Sequence, residues 1–363
     1  SVALLAVLLD RNPLSLRLLA YAALAVLVIA PESLLGPSFQ MSFAAVTGLI
    51  AFYEHRRLTQ RRRATDDQPA AARNVLLVYF LGVLLTTLIA SVATTPFAAF
   101  HFQRIATFGI VANLVAVPLT AFWIMPAGLV AMLLMPFGLD APFLVVMGYG
   151  IRIVLEVAAF MARLPGSVIN VPPWPATGLL AMVTGGLWLC LWRGKWRRWG
   201  FAMTALGIVI VLLARPADLL IDRRGDFVAY RAADGTAHLL EQRRDNWLSR
   251  QMVQGAGVAE ALPFSTRDDG RLRCDPLGCL VAMGDAASGP KLALALAAEA
   301  VVEDCRRAAF VVLLSGPDSC ANGTPSLGGR ALWQSGGVAL RWRGERVAIE
   351  RVVDERGQRP WTR

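Results

Sequence analysis

Long apolar stretches recur along the sequence and stop near Arg215. Hydrophobic residues make up 56% of the 363 residues and charged residues only 17%, with a mean hydropathy of +0.51, which is too apolar for an ordinary soluble domain. A helix that crosses a bilayer needs roughly 20 residues, so some spans are expected to be short, tilted or broken. The sequence predicts a polytopic α-helical membrane region of about seven helices, with spans near residues 14–30, 37–53, 75–93, 105–124, 142–162, 176–192 and 199–214.

The stretch MPAGLVAMLLMPFGLD, residues 125–140, is apolar but too short between its prolines to cross a bilayer. It is predicted to be a re-entrant or interfacial segment, which needs protein or a water-filled cavity around its backbone. The sequence opens at Ser1 within an apolar run, without the pattern of a signal peptide. Residues 1–214 are therefore expected to be a membrane region that is truncated at its N-terminus.

Residues 215–363 differ in composition, because Gly, Pro, charge and short alternating runs replace the apolar stretches. The run VEDCRRAAFVVLLSGPDSC indicates the end of a helix followed by a buried strand. The run GGVALRWRGERVAIERV alternates with period two around Arg343, Gly344 and Glu345, as a hairpin does. The sequence predicts a small α/β or α+β soluble domain over residues 215–363.

The distribution of positive charge predicts an orientation. Residues 1–214 hold 15 Lys and Arg against 7 Asp and Glu, and twelve of the 15 fall in three places. Those places are Arg11 with Arg17, the run RRLTQRRR with Arg73, and the run RGKWRRW at 193–199. Basic residues in short loops mark the cytoplasmic side. We therefore favour positive-inside topology over a DNA-binding basic patch as the origin of the charge of +10, with Arg104 and everything after Arg215 outside the cytosol.

The cysteines agree with that orientation. Four of the five lie in the soluble part, and an even number in a domain outside the cytosol suggests disulfides. Three pairings are possible, and the one that closes the shortest loops joins Cys274 to Cys279 and Cys305 to Cys320. A zinc site is the weaker alternative, because neither CxxC spacing nor a neighbouring His supports it.

Two further stretches carry a family resemblance. PSFQMSFAA, residues 37–45, follows an apolar span, and TTPFAAFHF precedes the helix that contains NLVAVPL, residues 113–119. Together with the loop LPGSVINVPPWP at 164–175, their order and spacing resemble the competence region of ComEC-type DNA uptake proteins over residues 10–214. The resemblance implies a channel in the bacterial inner membrane that passes single-stranded DNA into the cytosol during natural transformation. The implied partners are DNA, membrane lipids, an outside receptor or nuclease and a cytosolic motor, and the channel could be a homo-oligomer.

The resemblance gives the polar residues of the apolar spans a possible role on the DNA path. On a helix over 37–53, we expect Gln40 and Thr47 to share one face and Ser38 and Ser42 to share a neighbouring face, giving one polar stripe. Neutral groups along a wet lumen would bind phosphate or sugar weakly, which favours conduction. The alternative is that these side chains hold helix against helix.

Other polar residues are candidates for the same path. His101, Gln103 and Arg104 lie just beyond the outer end of a span, where Arg104 could attract phosphate or act as an interfacial anchor. Asn113 needs a partner in the bundle or serves as a packing contact, near Pro118. The remaining two, Arg152 and Glu156, are spaced i, i+4 inside a span, so they are expected to pair on one helix face towards a lumen or the bundle core.

The soluble domain departs from the pattern of the family. Many relatives end in a metallo-β-lactamase-like domain with an H-x-H-x-D-H metal cluster, but this chain has only His55, His101 and His238, of which one lies after Arg215. We expect a degenerate form of that fold with no catalytic metal, no cofactor and no nuclease activity. The alternative function is that of a polytopic permease or scaffold for another substrate, with the outward domain as a binding module.

Overall fold

A computed structural model describes residues 15–63, 75–192, 194–232, 234–243, 245–258, 260–265, 270–283, 289–343 and 346–357. The chain divides into two compact units by its internal contacts. The membrane unit consists of Ser1–Ile169 with Trp174–Ala214, and the sheet unit consists of Asn170–Pro173 with Arg215–Arg363.

Apolar helices make up most of the membrane unit. They are α1 (Leu16–Ile29), α2 (Pro37–Arg63), α3 (Val75–Phe102), α4 (Gly109–Leu119), α5 (Met125–Leu134), α6 (Ala141–Arg163), α7 (Ala176–Leu191) and α8 (Arg198–Leu213). Two short strands, β1 (Arg104–Ala106) and β2 (Val168–Asn170), pair with each other.

Four helical segments in the described part of the chain are long and apolar enough to cross a membrane: Val78–Phe102, Gly109–Phe137, Ala141–Arg163 and Lys195–Leu213. The helices α1 and α7 are apolar but shorter. The membrane character predicted from the sequence is therefore supported, whereas the predicted number of about seven spans is not reached by this criterion.

The segment predicted to be separate at 125–140 is instead part of a longer helix. The helix α4 continues through a π-helical turn at Thr120–Ile124 into α5 and a 3₁₀ turn at Met135–Phe137. The π turn lets the helix continue between Pro118 and Pro126. The N–H of Met125 bonds to the carbonyl of Thr120 five residues back, so the hydrogen-bond register of the helix shifts by one residue. The prediction of a separate re-entrant or interfacial segment over residues 125–140 is therefore wrong.

The helices α7 and α8 pack through glycine. A Cβ added at Gly185 would lie 2.8 Å from the carbonyl oxygen of Gly200, and one added at Gly207 would lie 2.7 Å from that of Gly178. The two backbones are thus in direct contact at both ends of this glycine seam. Small residues permit such close approach between membrane helices, where no hydrophobic effect drives association.

Two sheets form the sheet unit. The strands of the first, six-stranded sheet are β3 (Leu219–Ile221), β4 (Phe227–Arg231), β5 (Ala237–Glu241), β6 (Leu262–Pro263), β12 (Val338–Arg343) and β13 (Arg346–Arg351). Those of the second, five-stranded sheet are β7 (Leu272–Cys274), β8 (Gly278–Ala282), β9 (Lys291–Ala295), β10 (Phe310–Leu313) and β11 (Ser326–Gly328). The order of the strands is β13–β12–β3–β4–β5–β6 in the first sheet and β11–β10–β9–β8–β7 in the second.

The two local predictions for this unit are confirmed. A helix, α10 (Val301–Arg307), is followed by the strand β10, all four residues of which are buried. The strands β12 and β13 form an antiparallel hairpin that pairs Arg343 with Arg346. The tip residues Gly344 and Glu345 lie outside the described residues.

The core lies between the inner faces of the two sheets. Leu219, Val228 and Leu340 from the six-stranded sheet and Leu292 and Val312 from the five-stranded sheet belong to one fully buried cluster. A second cluster lies on the opposite face of the five-stranded sheet, where α10 covers it. The helix α9 (Asn246–Gly255) contacts β4 and β5, and two short helices, α11 (Gly329–Ser335) and α12 (Val352–Arg356), flank β12 and β13. The unit is thus built of helix and sheet layers around a two-sheet core.

Candidate functional site

The helix α2 carries four of the predicted polar residues. It begins at Pro37, whose fixed φ suits the first turn of a helix. It packs against α3, since a Cβ added at Gly48 would lie 3.4 Å from side-chain carbons of Ile89 and Ala93. The polar residues on this side of α2 therefore face α3.

A side-chain hydrogen bond joins α2 to the end of α3. The Nε2 of His101 lies 2.7 Å from the Oε1 of Gln40. The other end of the Gln40 amide donates from its Nε2 to the carbonyl of Leu34 at 2.9 Å, so its oxygen faces His101 and accepts the imidazole N–H. Both ends of the Gln40 amide are partnered within the protein, as a polar group at membrane depth requires.

The hydroxyl of Thr47 is satisfied by its own helix. It donates to the carbonyl of Phe43, one turn back, at 2.6 Å. On α3, Thr94 and Thr95 bond in the same way to Ala90 and Ser91, at 2.9 and 2.7 Å. This pattern lets a hydroxyl lie in an apolar helix without a partner on another helix.

The predicted single polar stripe on α2 is wrong. At about 100° per residue, Ser38 and Ser42 lie about 160° from Gln40, nearly on the opposite side of the helix. In agreement, Ser38 and Ser42 are exposed, whereas Gln40 and Thr47 are half-buried. The four residues therefore form two separate polar sites, of which one faces α3 and one does not.

The chain turns sharply after His101. Gln103 has a φ of +55°, the only positive φ of a non-glycine residue in the described chain, and its N–H bonds to the carbonyl of Ala99 at 3.1 Å. This left-handed residue ends α3 and directs Arg104, which is exposed, into β1. The structure thus brings Gln40, His101, Gln103 and Arg104 to one end of the α2–α3 pair.

Asn113 lies on α4 and is exposed. It lines a cavity of about 410 Å³ with Ala116, Thr120 and Met125, where the π turn begins. A π turn within an α-helix is frequent at functional sites. The helix partner that the sequence led us to expect for Asn113 is not seen among the described residues.

Arg152 and Glu156 do not pair. Both are exposed on α6, and among the described residues no ion pair joins them. The Arg152 guanidinium carbon instead lies 5.7 Å from the centre of the Tyr149 ring. The predicted pair that neutralises itself is therefore wrong, because Arg152 turns towards the aromatic ring three residues before it.

The cysteines of the sheet unit are joined in the local pairing. Cys274 and Cys279 bridge directly opposite positions of β7 and β8, with a Cα–Cα distance of 4.1 Å. Cys305 on α10 bonds to Cys320 in the loop after β10, with a Cα–Cα distance of 5.8 Å. Cys190, in the membrane unit, is free.

His238 is a core residue. It is 3% exposed, its Nδ1 lies 3.3 Å from the carbonyl of Pro263, and it stacks on the Tyr230 ring. Within the described ranges, no group of three or more His, Cys, Asp or Glu side chains could hold a metal ion.

The contact between Gln40 and His101 was missed by sequence reasoning, although both residues were named. A signal was available: the predicted topology puts both residues at the outer ends of adjacent spans, and polar groups at membrane depth need internal partners. A second missed contact is that of Trp123, whose indole N–H donates to the carbonyl of Val146 on α6 at 2.9 Å.

Comparison with known protein families gives a match over the first part of the chain. A family model described as "Competence protein" matches residues 1–196, more than half of the 363 residues. It covers the membrane unit up to the start of α8 and leaves most of the sheet unit unmatched. No curated protein and no solved structure matches the chain.

Proposed function

Since the chain belongs to the Competence protein family, we propose that it is the component of the DNA uptake machinery that passes single-stranded DNA across the inner membrane during natural transformation. The observation that carries this proposal is the family match over residues 1–196, which contain three of the four long apolar segments. Family membership supports a part in competence and DNA uptake, and conduction of the strand is the further step that we infer.

Exposed polar groups on apolar helices support a wet path. Ser38, Ser42 and Asn113 are exposed on α2 and α4, where lipid would solvate them poorly. Neutral hydroxyl and amide groups bind phosphate weakly and in many places, which suits conduction. Arg152 and Glu156 would face the same wet path, since the free energy of a charged group in lipid is high. The Gln40–His101 bond would fix the end of this path, beside Arg104.

Tryptophans beside basic residues support the proposed orientation. Trp192, Trp196 and Trp199 are exposed around the turn that carries Lys195 and Arg197. Aromatic and basic residues together are typical of a cytoplasmic membrane interface. The sheet unit, after α8, would then lie in the periplasm. A reporter that is active only in the periplasm, fused after Arg363, should be active, and its inactivity would reverse this orientation.

For the sheet unit we propose a degenerate metallo-β-lactamase-like domain without nuclease activity. Its two-sheet core with helices outside supports the likeness of architecture. The burial of His238 against Pro263 supports the lack of hydrolytic chemistry, because this imidazole is engaged in the core. The strand would then be supplied by an outside receptor or nuclease and drawn in by a cytosolic motor, with the chain as a monomer or homo-oligomer.

The proposed function is tested by deleting the gene and supplying labelled DNA to competent cells. Surface binding of DNA should persist, while label that reaches the cytosol should fall to background. Normal uptake in the deletion strain would refute the proposal and favour a permease or scaffold for another substrate.

Two single-cysteine variants on α2 test whether the DNA path runs along this helix. In a Cys190→Ala background, Ser42→Cys should react with a small hydrophilic thiol reagent, and transforming DNA should slow that reaction. Ile50→Cys is the matched control, because Ile50 is buried on the same helix. Equal protection of both cysteines, with normal DNA uptake, would remove Ser42 from the path.

A further inference from the structure

A groove of about 770 Å³ lies on the six-stranded sheet. Leu220 and Ala339 line it from paired positions on β3 and β12, and they alternate with the core residues Leu219 and Leu340, so they face away from the core. The helix α9 forms one wall, and the end of β13 at Arg351 forms the other. This volume lies within the range of sites that bind small molecules or segments of larger ones.

Three exposed arginines line the groove without acidic partners. Arg224 follows β3, Arg243 precedes α9, and Arg351 ends β13, so they come from three separate elements. Among the described residues, none of the three takes part in an ion pair. Their guanidinium groups are therefore available to an anion that enters the groove.

The acidic residues of the groove are mostly engaged. Asp222 accepts the backbone N–H groups of Arg224 and Phe227, at 3.0 and 2.8 Å. Asp245 caps α9, and Glu350 pairs with Arg341. Asp226 also lines the groove and is half-buried. The partnered carboxylates keep their negative charge, but among the described residues none of them forms an ion pair with the three arginines.

Two exposed tryptophans are connected to the groove through residues or elements that line it. The Arg223 guanidinium carbon is 4.2 Å from the centre of the Trp333 ring, and its Nε donates to the Trp333 carbonyl at 3.1 Å. Trp247, on α9, is 68% exposed. Arginines that track a phosphate backbone, together with aromatic or guanidinium planes on which bases stack, are the two features of sites that bind single-stranded nucleic acid.

We propose that this arginine groove binds single-stranded DNA, with phosphates on Arg224, Arg243 and Arg351 and bases stacked near Trp247 and the Arg223–Trp333 pair. This inference rests on the proposed function in DNA uptake and adds to it a binding site on the sheet unit. The site is separate from the polar residues of α2, α3 and α4.

The test uses the full chain in detergent and a fluorescent 20-nucleotide single-stranded DNA. The triple variant Arg224→Gln, Arg243→Gln, Arg351→Gln should bind the oligonucleotide at least about tenfold more weakly. The slope of log K against log salt should shrink by about 2, because each phosphate contact contributes about 0.7 on a single strand. Trp247→Ala should weaken binding of the oligonucleotide but not of polyphosphate, which has no bases.

The matched control is the triple variant Arg273→Gln, Arg306→Gln, Arg346→Gln. It removes the same charge from exposed arginines of the same unit that do not line the groove. If the two triple variants bind DNA equally and with the same salt slope, the groove inference is refuted. Polyphosphate that binds as tightly as DNA, with no response of DNA binding to Trp247→Ala, would refute nucleic acid as the occupant.

Failure of the groove and failure of the proposed function are distinguishable. If gene deletion abolishes uptake but the groove variant binds DNA like its control, only the groove inference fails. If gene deletion leaves uptake normal, the proposed function fails whatever the groove variant does.

Discussion

The two units bury their apolar side chains in different ways. In the four long apolar segments of the membrane unit, only 6–11% of the residues in the most apolar stretch are buried within the chain. In the sheet unit, Leu292, Leu294 and Val312 are fully buried between two sheets. The sheet unit therefore derives its stability from apolar area removed from water, whereas the membrane unit needs lipid around its helices and is held together by close packing.

Polar groups follow the same division. In the membrane unit, Thr184 and Thr204 donate to carbonyls one turn back on their own helices. In the sheet unit, the carboxylates of Asp222 and Asp275 accept backbone N–H groups at turns. A neutral hydroxyl can be satisfied locally at membrane depth, while an ionised carboxylate is retained where water also reaches it.

The largest expected effect is the loss of stability when a core side chain of the sheet unit is shortened. Leu294→Ala removes a fully buried side chain between the sheets, so it should lower the free energy of unfolding of the sheet unit by about 2–5 kcal/mol. Calorimetry of the full chain in detergent should show this shift in the transition that also responds to reductant, because the two described disulfides lie in this unit. Leu277→Ala, at a site that is 45% exposed, should change it by less than about 0.5 kcal/mol.

If Leu294→Ala shifted every thermal transition of the full chain by the same amount, the distinction between the two units would be refuted. Such a result would mean that the two units unfold together. The difference in burial would then have no consequence for stability.

The second effect is expected in the membrane unit. A Cβ at Gly185 would lie 2.6 Å from the backbone nitrogen of Thr204, so Gly185→Ala should force α7 and α8 apart and cost about 1–3 kcal/mol. The measurement is the thermal transition that does not respond to reductant. Gly186→Ala is the matched control, because a Cβ there meets nothing within 4 Å. It should be neutral or gain up to about 1 kcal/mol in helix propensity. Equal losses in both variants would mean that the seam is not close-packed.

The sequence predicted the elements whose signal is local. The apolar stretches gave the helices, the alternation around Arg343 gave the β12–β13 hairpin, and the run before Phe310 gave the buried strand β10. The sequence did not predict that the helix continues through Pro126. The one-residue shift of hydrogen-bond register at Thr120–Ile124 that permits this has no signature in hydropathy.

Sequence reasoning named the polar residues of the apolar helices as candidates, but it did not predict how they are arranged. Gln40 and His101 stood out as polar groups in apolar segments, but their hydrogen bond depends on how α2 packs against α3. Angles on a single helix were enough to exclude the polar stripe, since Ser42 lies two residues from Gln40 and about 160° away. The arginine groove was not predictable, because Arg224, Arg243 and Arg351 are brought together only by the order of the strands in the sheet.

The smallest expected effect concerns Asp304, a carboxyl group of the sheet unit whose surroundings disfavour its charge, unlike those of Asp222 and Asp275. Burial raises the pKa of Asp304 on α10 above its usual range, and the nearby Asp275 and Glu303 raise it further. A raised folded-state pKa gives stability that is present below the unfolded-state value of about 3.9 and is lost as pH rises through the folded-state pKa. At neutral pH, the ionised Asp304 therefore lowers the stability of the unit.

Asp304→Asn should raise the melting temperature of the sheet unit at pH 7 by no more than about 3 °C, because solvent screens this partly exposed group. The gain should disappear near pH 3, where the carboxyl is protonated in both folded and unfolded states. The measurement is the reductant-sensitive transition of the full chain at both pH values. Asp304 also lies in the first turn of α10, where a negative charge is favourable to the helix. A lower melting temperature at pH 7 would mean that this helix term exceeds the cost of burial, and Asp304 would then belong with the satisfied carboxylates Asp222 and Asp275.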